Sequence, residues 1–192
     1  MIHPDTELRY IDATVGYGVF ATAFIPGGTI VWTRCELDQV LAPQQAAGLP
    51  PACQEALRRY AYIVPGGWRL LCWDHARYVN HSCDPVMLDV GAEIEIAARD
   101  LRAGDELTCE YAMLNLPDPL ECRCRSAGCR GTIRGDDTLR YWREWDRRVN
   151  AVFPLVAAVA QPLLPFVRDP DGLRALIEGR AAIPSHRDGY AP

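Results

Sequence analysis

Lysine is absent from this chain. All 20 cationic side chains among its 192 residues are arginines. Codon usage in a GC-rich genome accounts for such a replacement, yet the consequence is chemical: a protein that modified lysine side chains could not modify its own. A positive charge balance is missing too. The formal net charge of -5 argues against a nucleic-acid surface as the main purpose, because phosphate binding relies on clustered cations; a basic partner suits the chain better. The start of the sequence has no charged region followed by an apolar run, so no signal peptide is expected. No stretch is long and apolar enough to span a bilayer. Residues 151–167 come nearest, but Pro154, Pro162 and Pro165 interrupt them and they fall short of the ~20 residues required. A cytoplasmic location without membrane association is the resulting expectation. In a chain without a signal, its eight cysteines point to thiols and metal ligation rather than disulfides.

What is present suits a folded chain. Hydrophobic residues make up 49% and charged residues 23%, a globular composition of sufficient length to bury a core. Leu8 to Asp12 and Val19 to Phe24 alternate as short strands around Gly16, Tyr17 and Gly18, which read as a hairpin turn. Glycines there permit positive φ and close approach of backbone to a ligand. Turns at Pro26–Gly28 and Pro65–Gly67 precede strands over 29–33 and 68–72, and further strands are expected at 86–90, 93–98 and 107–111. Pro51 opens a helix running to Tyr60. After Asp137, a candidate N-cap, Leu139, Trp142, Trp145 and Val149 recur at helical spacing. A short helix over 172–177 and a loosely held polar tail to Pro192 complete the expected order. The pattern is a mostly β core with a helical C-terminal extension.

Cys122, Cys124 and Cys129 form a C-x-C-x4-C cluster interleaved with Arg123 and Arg125, cations that favour thiolates. Three thiols leave a zinc tetrahedron one ligand short, and Cys83 is the candidate for the fourth position. Such a site would tie two distant segments together.

With these residues laid out, the chain resembles the SET-domain protein lysine methyltransferases. Gly16-Tyr17-Gly18-Val19-Phe20-Ala21 is similar to the family's first motif, Ala76 to Pro85 with Asn80, His81 and Cys83 to its second, and Glu106 to Tyr111 to its third. Cys122-Arg123-Cys124 and Cys129-Arg130-Gly131 resemble its post-SET zinc segment, whose fourth ligand in the family is the cysteine matching Cys83. The resemblance implies several small curved β-sheets with a pseudoknot, a path that ordinary connection rules make rare. It divides the chain into a SET domain over 1–120, a post-SET zinc-binding segment over 121–135 and a helical extension over 136–192. It implies S-adenosylmethionine held by Gly16, Tyr17, Gly18, Arg77, Asn80 and His81, structural zinc on Cys83, Cys122, Cys124 and Cys129, and catalysis by Tyr111. The acceptor is expected to be lysine in a basic protein or peptide, and no direct nucleic-acid binding is expected. The sequence does not specify an oligomeric state.

The departures are informative. Cys109 stands where the family usually has an aromatic ring that limits methylation, so the resemblance implies a roomier amine channel and di- or trimethylation. Val86, and Arg34 to Glu36, also depart from the family pattern on the substrate side. Two alternatives stay open: a catalytically silent SET-like binding module, and a methyltransferase for a small-molecule amine whose channel the C-terminal extension would close.

Overall fold

The computed structural model describes residues 1–91 and 93–190. Its strands are short and arranged in four small sheets. Strand β1 (Thr6–Asp12) pairs antiparallel with β2 (Gly16–Ala21). β3 (Ile30–Thr33) and β4 (Gln39–Leu41) lead into helices α1 (Pro43–Ala47) and α2 (Pro51–Tyr60), and then to β5 (Ala61–Val64) and β6 (Trp68–Leu71). The remaining strands are β7 (Asn80–His81), β8 (Met87–Asp89), β9 (Ile94–Ala97), β10 (Glu106–Cys109), β11 (Leu120–Glu121) and β12 (Thr132–Ile133). Helices α3 (Thr138–Val152) and α4 (Pro170–Ile177) follow. Among the described residues no helix is long and apolar enough to cross a membrane.

The sheet that positions the site has the order β1-β2-β10-β7. β10 inserts between β2, which it meets antiparallel, and β7, which it meets parallel with Thr108 opposite Asn80 and Cys109 opposite His81. Two segments distant in sequence are thereby brought into register. The pairing carries Tyr111, just beyond β10, to the end of β7. Sheet β3-β9-β8 is covered by the C-terminal part of the chain: Ile30, Leu88 and Ile96 form one cluster with Val149, Phe153, Val156 and Leu163. Full burial of each such side chain contributes about 1.5–3 kcal/mol, enough to hold the proline-broken apolar segment against the sheet, where Gln161 also donates to the Gly28 carbonyl (3.0 Å).

Four expectations need correction. The hairpin turn is at residues 13–15, not at Gly16–Gly18, which already belong to β2. The Asp12 carboxylate accepts from the amides of Thr14 and Val15, each at 2.8 Å, and so makes the turn before the glycines are reached. Tyr111 does not continue the last strand but opens a 3₁₀ turn, Tyr111–Leu114, capped by Glu110 through the Ala112 amide. Asp137 makes no side-chain cap to α3; its carboxylate instead accepts from the Arg134 amide (3.1 Å) and pairs with Arg130 (3.3 Å). The tail is also held, as far as Tyr190: Asp146 on α3 accepts from Ser185 Oγ (2.7 Å) and from the His186 amide (2.9 Å). Ala191 and Pro192 lie outside the described residues. Of the expected apolar face of α3, Trp145 and Val149 are buried but Leu139 is exposed.

Candidate active site

Two cavities meet at one side chain. The first, about 620 Å³, lies between the β1–β2 turn, Asn80 to Ser82, and residues 120–125. The second, about 460 Å³, is bounded by β5, by Cys72, Val79 and Cys109, and by the C-terminal residues Pro184 to His186. Both volumes lie in the ~300–1,000 Å³ range of small-ligand pockets. Tyr111 is the one described residue lining both. Its hydroxyl donates to the Val79 carbonyl (2.8 Å) and its amide donates to His81 Nδ1 (3.2 Å). Burial pushes its phenol far above the ordinary tyrosine range, so the group stays a neutral hydrogen-bonding hydroxyl.

On the first side, Asn80 Nδ2 donates to Glu106 Oε1 (2.8 Å) and to the Tyr17 carbonyl (3.0 Å), which leaves its amide oxygen for a donor from the cavity. A Cβ on Gly18 would come within 2.7 Å of both Glu106 Oε1 and Ile11 Cδ1 and 3.0 Å of Asn80 Nδ2. The glycine motif therefore clears room for the side chains of Asn80 and Glu106. Gly16, Tyr17 and Gly18 do not themselves line this cavity; the β1–β2 residues that do are Ile11, Asp12, Thr14 and Val15. His81 lines the same cavity, but Arg77 does not. The Arg77 guanidinium bonds the carbonyls of Asp74 (3.0 Å) and Trp73, and the residue faces the second cavity.

Cys83, Cys122 and Cys124 converge from segments far apart in the chain. Cys83 and Cys122 sulfurs are 3.7 Å apart, Cys122 and Cys129 sulfurs 3.6 Å, and the Cys83 amide donates to Cys124 Sγ (3.4 Å). A disulfide would need ~2 Å; a tetrahedral ion ~2.3 Å from each sulfur sets neighbouring sulfurs ~3.8 Å apart. His81, Cys83, Cys122 and Cys124 place one ligand atom each within 4.8 Å of one another, a group able to hold a metal ion. Burial pushes the Cys124 thiol up, but the Cys83 amide and the Ser126 hydroxyl and amide outweigh it and hold it at about 6. The His81 ring is kept neutral, its pKa lowered to about 4 by burial and then by Arg130.

The sequence places Arg130 in the post-SET motif without assigning it a role, yet it joins the cysteine cluster, the Tyr111 turn and α3. Its Nη2 donates to both Glu110 oxygens (2.7 and 2.6 Å), its Nε to Cys83 Sγ (3.4 Å), its Nη1 pairs with Asp137 (3.3 Å), and the guanidinium lies 5.2 Å from the Tyr141 ring centre. Glu110, directly before Tyr111, is 1% exposed. Burial pushes its carboxyl up while Arg130 pulls it back.

Small sheets joined to a cysteine cluster, with two cavities meeting at the half-buried Tyr111, make up the site. Residues 16–112 match the family model of the SET domain, and the chain belongs to that family. It is 27% identical over 177 residues to histone-lysine N-methyltransferase ash1 of Drosophila melanogaster, covering 84% of this chain and 7% of that protein. It is 36% identical over 69 residues to histone-lysine N-methyltransferase Set2 of the same species, covering 32% of this chain and 3% of that protein. The chain thus spans only a small part of the length of these curated relatives. The methyltransferase domain of human SETMAR aligns with a TM-score of 0.47 at 19% identity, over 69% of this chain and 58% of that one.

Proposed function

We propose that this protein is an S-adenosylmethionine-dependent lysine methyltransferase acting on a basic protein or peptide, with the cofactor in the first cavity and the acceptor amine in the second. The observation that carries this reading is the position of Tyr111 as the only described residue shared by both cavities. The first cavity suits a zwitterionic sulfonium, since Asp12 and Glu106 supply negative charge and Arg123 and Arg125 positive charge. Bound there, the cofactor supplies an electrophilic methyl group. The protein's part is alignment: the Tyr111 hydroxyl, tied to the Val79 carbonyl, orients the amine at the boundary, where the positive charge of a bound sulfonium would disfavour the amine's charged form. A lysine ammonium, whose pKa in water is about 10.4, must shed a proton before it can attack.

Structural zinc takes Cys83, Cys122, Cys124 and Cys129 in this reading. Because His81 Nδ1 accepts the Tyr111 amide, the neutral ring carries its hydrogen on Nε2, 3.3 Å from Cys83 Sγ. That nitrogen then has no lone pair for a metal and serves as a donor to the Cys83 thiolate. Chelation is expected to strip amide protection from residues 120–133 and weaken cofactor binding together, because residues 120–125 wall the first cavity. Hydrogen exchange with and without restored zinc checks this; unchanged protection in that segment contradicts it.

Cys109 is 6% exposed at the wall of the second cavity, with less volume than a ring to oppose a methylated amine. Di- or trimethylation is the product we infer. Cys109→Tyr should make monomethyl-lysine the main product by mass spectrometry, and an unaltered product ratio would count against this assignment.

The small-molecule reading keeps one supporting observation, that Pro184 to His186 line the second cavity. Trp142 and Trp145 do not line it. Radiolabelled cofactor offered with core histones, other basic proteins and alkylamines separates the two readings, and automethylation on lysine cannot confuse the count. Transfer to protein lysine supports the proposal; transfer to alkylamines alone replaces it.

A further inference from the structure

The second cavity contains an acid that methyl transfer as described above does not use. Glu95 on β9 is the cross-strand partner of Trp32 on β3, and both line the cavity with Cys109 and Tyr111. Among the described residues the Glu95 carboxylate has neither a hydrogen bond nor an ion pair. Desolvation, and then the charge of Asp89, push its pKa up to about 8, so in the empty cavity the acid holds its proton at neutral pH and gives it up when a cation beside it favours the charged form. Beside it, Trp32 is 6% exposed and its buried indole N–H has no hydrogen-bond partner. Buried polar groups in native proteins are overwhelmingly partnered. The Trp32 N–H is sealed from solvent, whereas Glu95 is half-buried at the cavity wall, so the carboxyl group is the one that a ligand entering the cavity meets.

The surroundings determine its sign. Asp89 lines the same space, and the Trp32 and Tyr62 rings meet edge to face with centroids 6.4 Å apart. Aromatic rings together with carboxylates favour a large, weakly hydrated cation such as an alkylated ammonium. The position is functionally placed as well, because Glu95 is close enough to Cys109 to raise the thiol's pKa further after burial. The space left by the small Cys109 side chain therefore opens toward a carboxylate.

We infer that Glu95 is a specificity-determining residue, the counter-ion that receives the cationic methylated amine at the Trp32 wall of the acceptor cavity. The inference rests on the reading of that cavity as the acceptor side. It gives the roomy channel a means of retaining mono- and dimethylated lysine between transfers; each retained ammonium must still lose its proton before it can attack again.

The test needs no turnover. Zinc-replete protein saturated with S-adenosylhomocysteine is titrated with n-butyltrimethylammonium, a fixed cation with the shape of the trimethyl-lysine side-chain end, and with n-butanol as the neutral control, by ligand-observed NMR. In Glu95→Gln the cation should bind about tenfold more weakly while n-butanol is unaffected; Glu95→Leu serves as the second variant should Gln misfold. Equal cation affinity in wild type and variant, or no cation binding by wild type, overturns the inference. Failure here, with methyl transfer to lysine intact and dependent on Tyr111, would leave the enzymatic reading standing. Absent transfer with Glu95-dependent cation binding would remove that reading and retain the cation site.

Discussion

Tyr111→Phe is expected to lower turnover by about 10²–10³-fold, the effect of removing one orienting hydrogen-bond group from a preorganised site, while the protein remains folded and binds cofactor. The ring stays in place, tilted against His81 with centroids 5.4 Å apart, and the backbone amide of residue 111 still donates to His81 Nδ1. What is lost is the hydroxyl and its bond to the Val79 carbonyl, about 1 kcal/mol of stability. The phenol is buried and far from ionisation at neutral pH, so the loss should fall on kcat without changing the pH profile. Single-turnover assays at saturating cofactor, with cofactor affinity measured separately, check this. Normal turnover in the variant would remove Tyr111 from its role, and a catalytically silent module would show no difference because it would show no turnover in either form.

The site is legible in the sequence where neighbouring residues serve neighbouring jobs. Asn80, His81 and Cys83 occupy one short stretch because β7 presents Asn80 and His81 to the first cavity and the chain then turns directly into the cysteine knot. The convergence of Cys83 with Cys122 and Cys124 is likewise readable, since three thiols one short of a tetrahedron demand a fourth. The glycine motif marks the right region for the wrong reason: Gly18 makes space for Asn80 and Glu106, and Asp12 makes the turn. Motif membership puts Arg77 on the cofactor side, whereas its 3₁₀ turn (His75–Tyr78) points it to the other cavity. Glu95 gives only a weak signal, as one of several acids that could attract a cationic peptide but are more simply read as solvated. A single acid in a strand reads as a solvent-facing residue, and only the β3–β9 pairing shows that it faces Trp32 and the cavity.

Arg130 carries the second large effect. The sequence marks it only as a member of the post-SET motif, and nothing local reveals that Glu110 and Asp137 both meet it. With the Arg130 side chain 13% exposed and Glu110 1% exposed, this is an ion pair removed from water. Such a pair adds little net stability when intact, but deleting one partner strands the other charge and costs ~3–5 kcal/mol. Arg130→Met should therefore lower zinc-replete stability by that amount, measured from urea midpoints. It should also lower turnover, because Glu110 caps the 3₁₀ turn through the Ala112 amide (2.9 Å) and so sets the backbone on which Tyr111 stands. Arg130→Met combined with Glu110→Gln removes one stranded carboxylate and leaves Asp137, which still accepts from the Arg134 amide, so only part of the lost stability should return. Turnover should not return with it, since the knot, α3 and the Tyr111 turn are then no longer tied through one guanidinium. A loss below ~1 kcal/mol in the single variant would place Arg130 with exposed surface pairs, and the knot would then be coupled to the tyrosine through His81 and through packing on Ala112 and Met113.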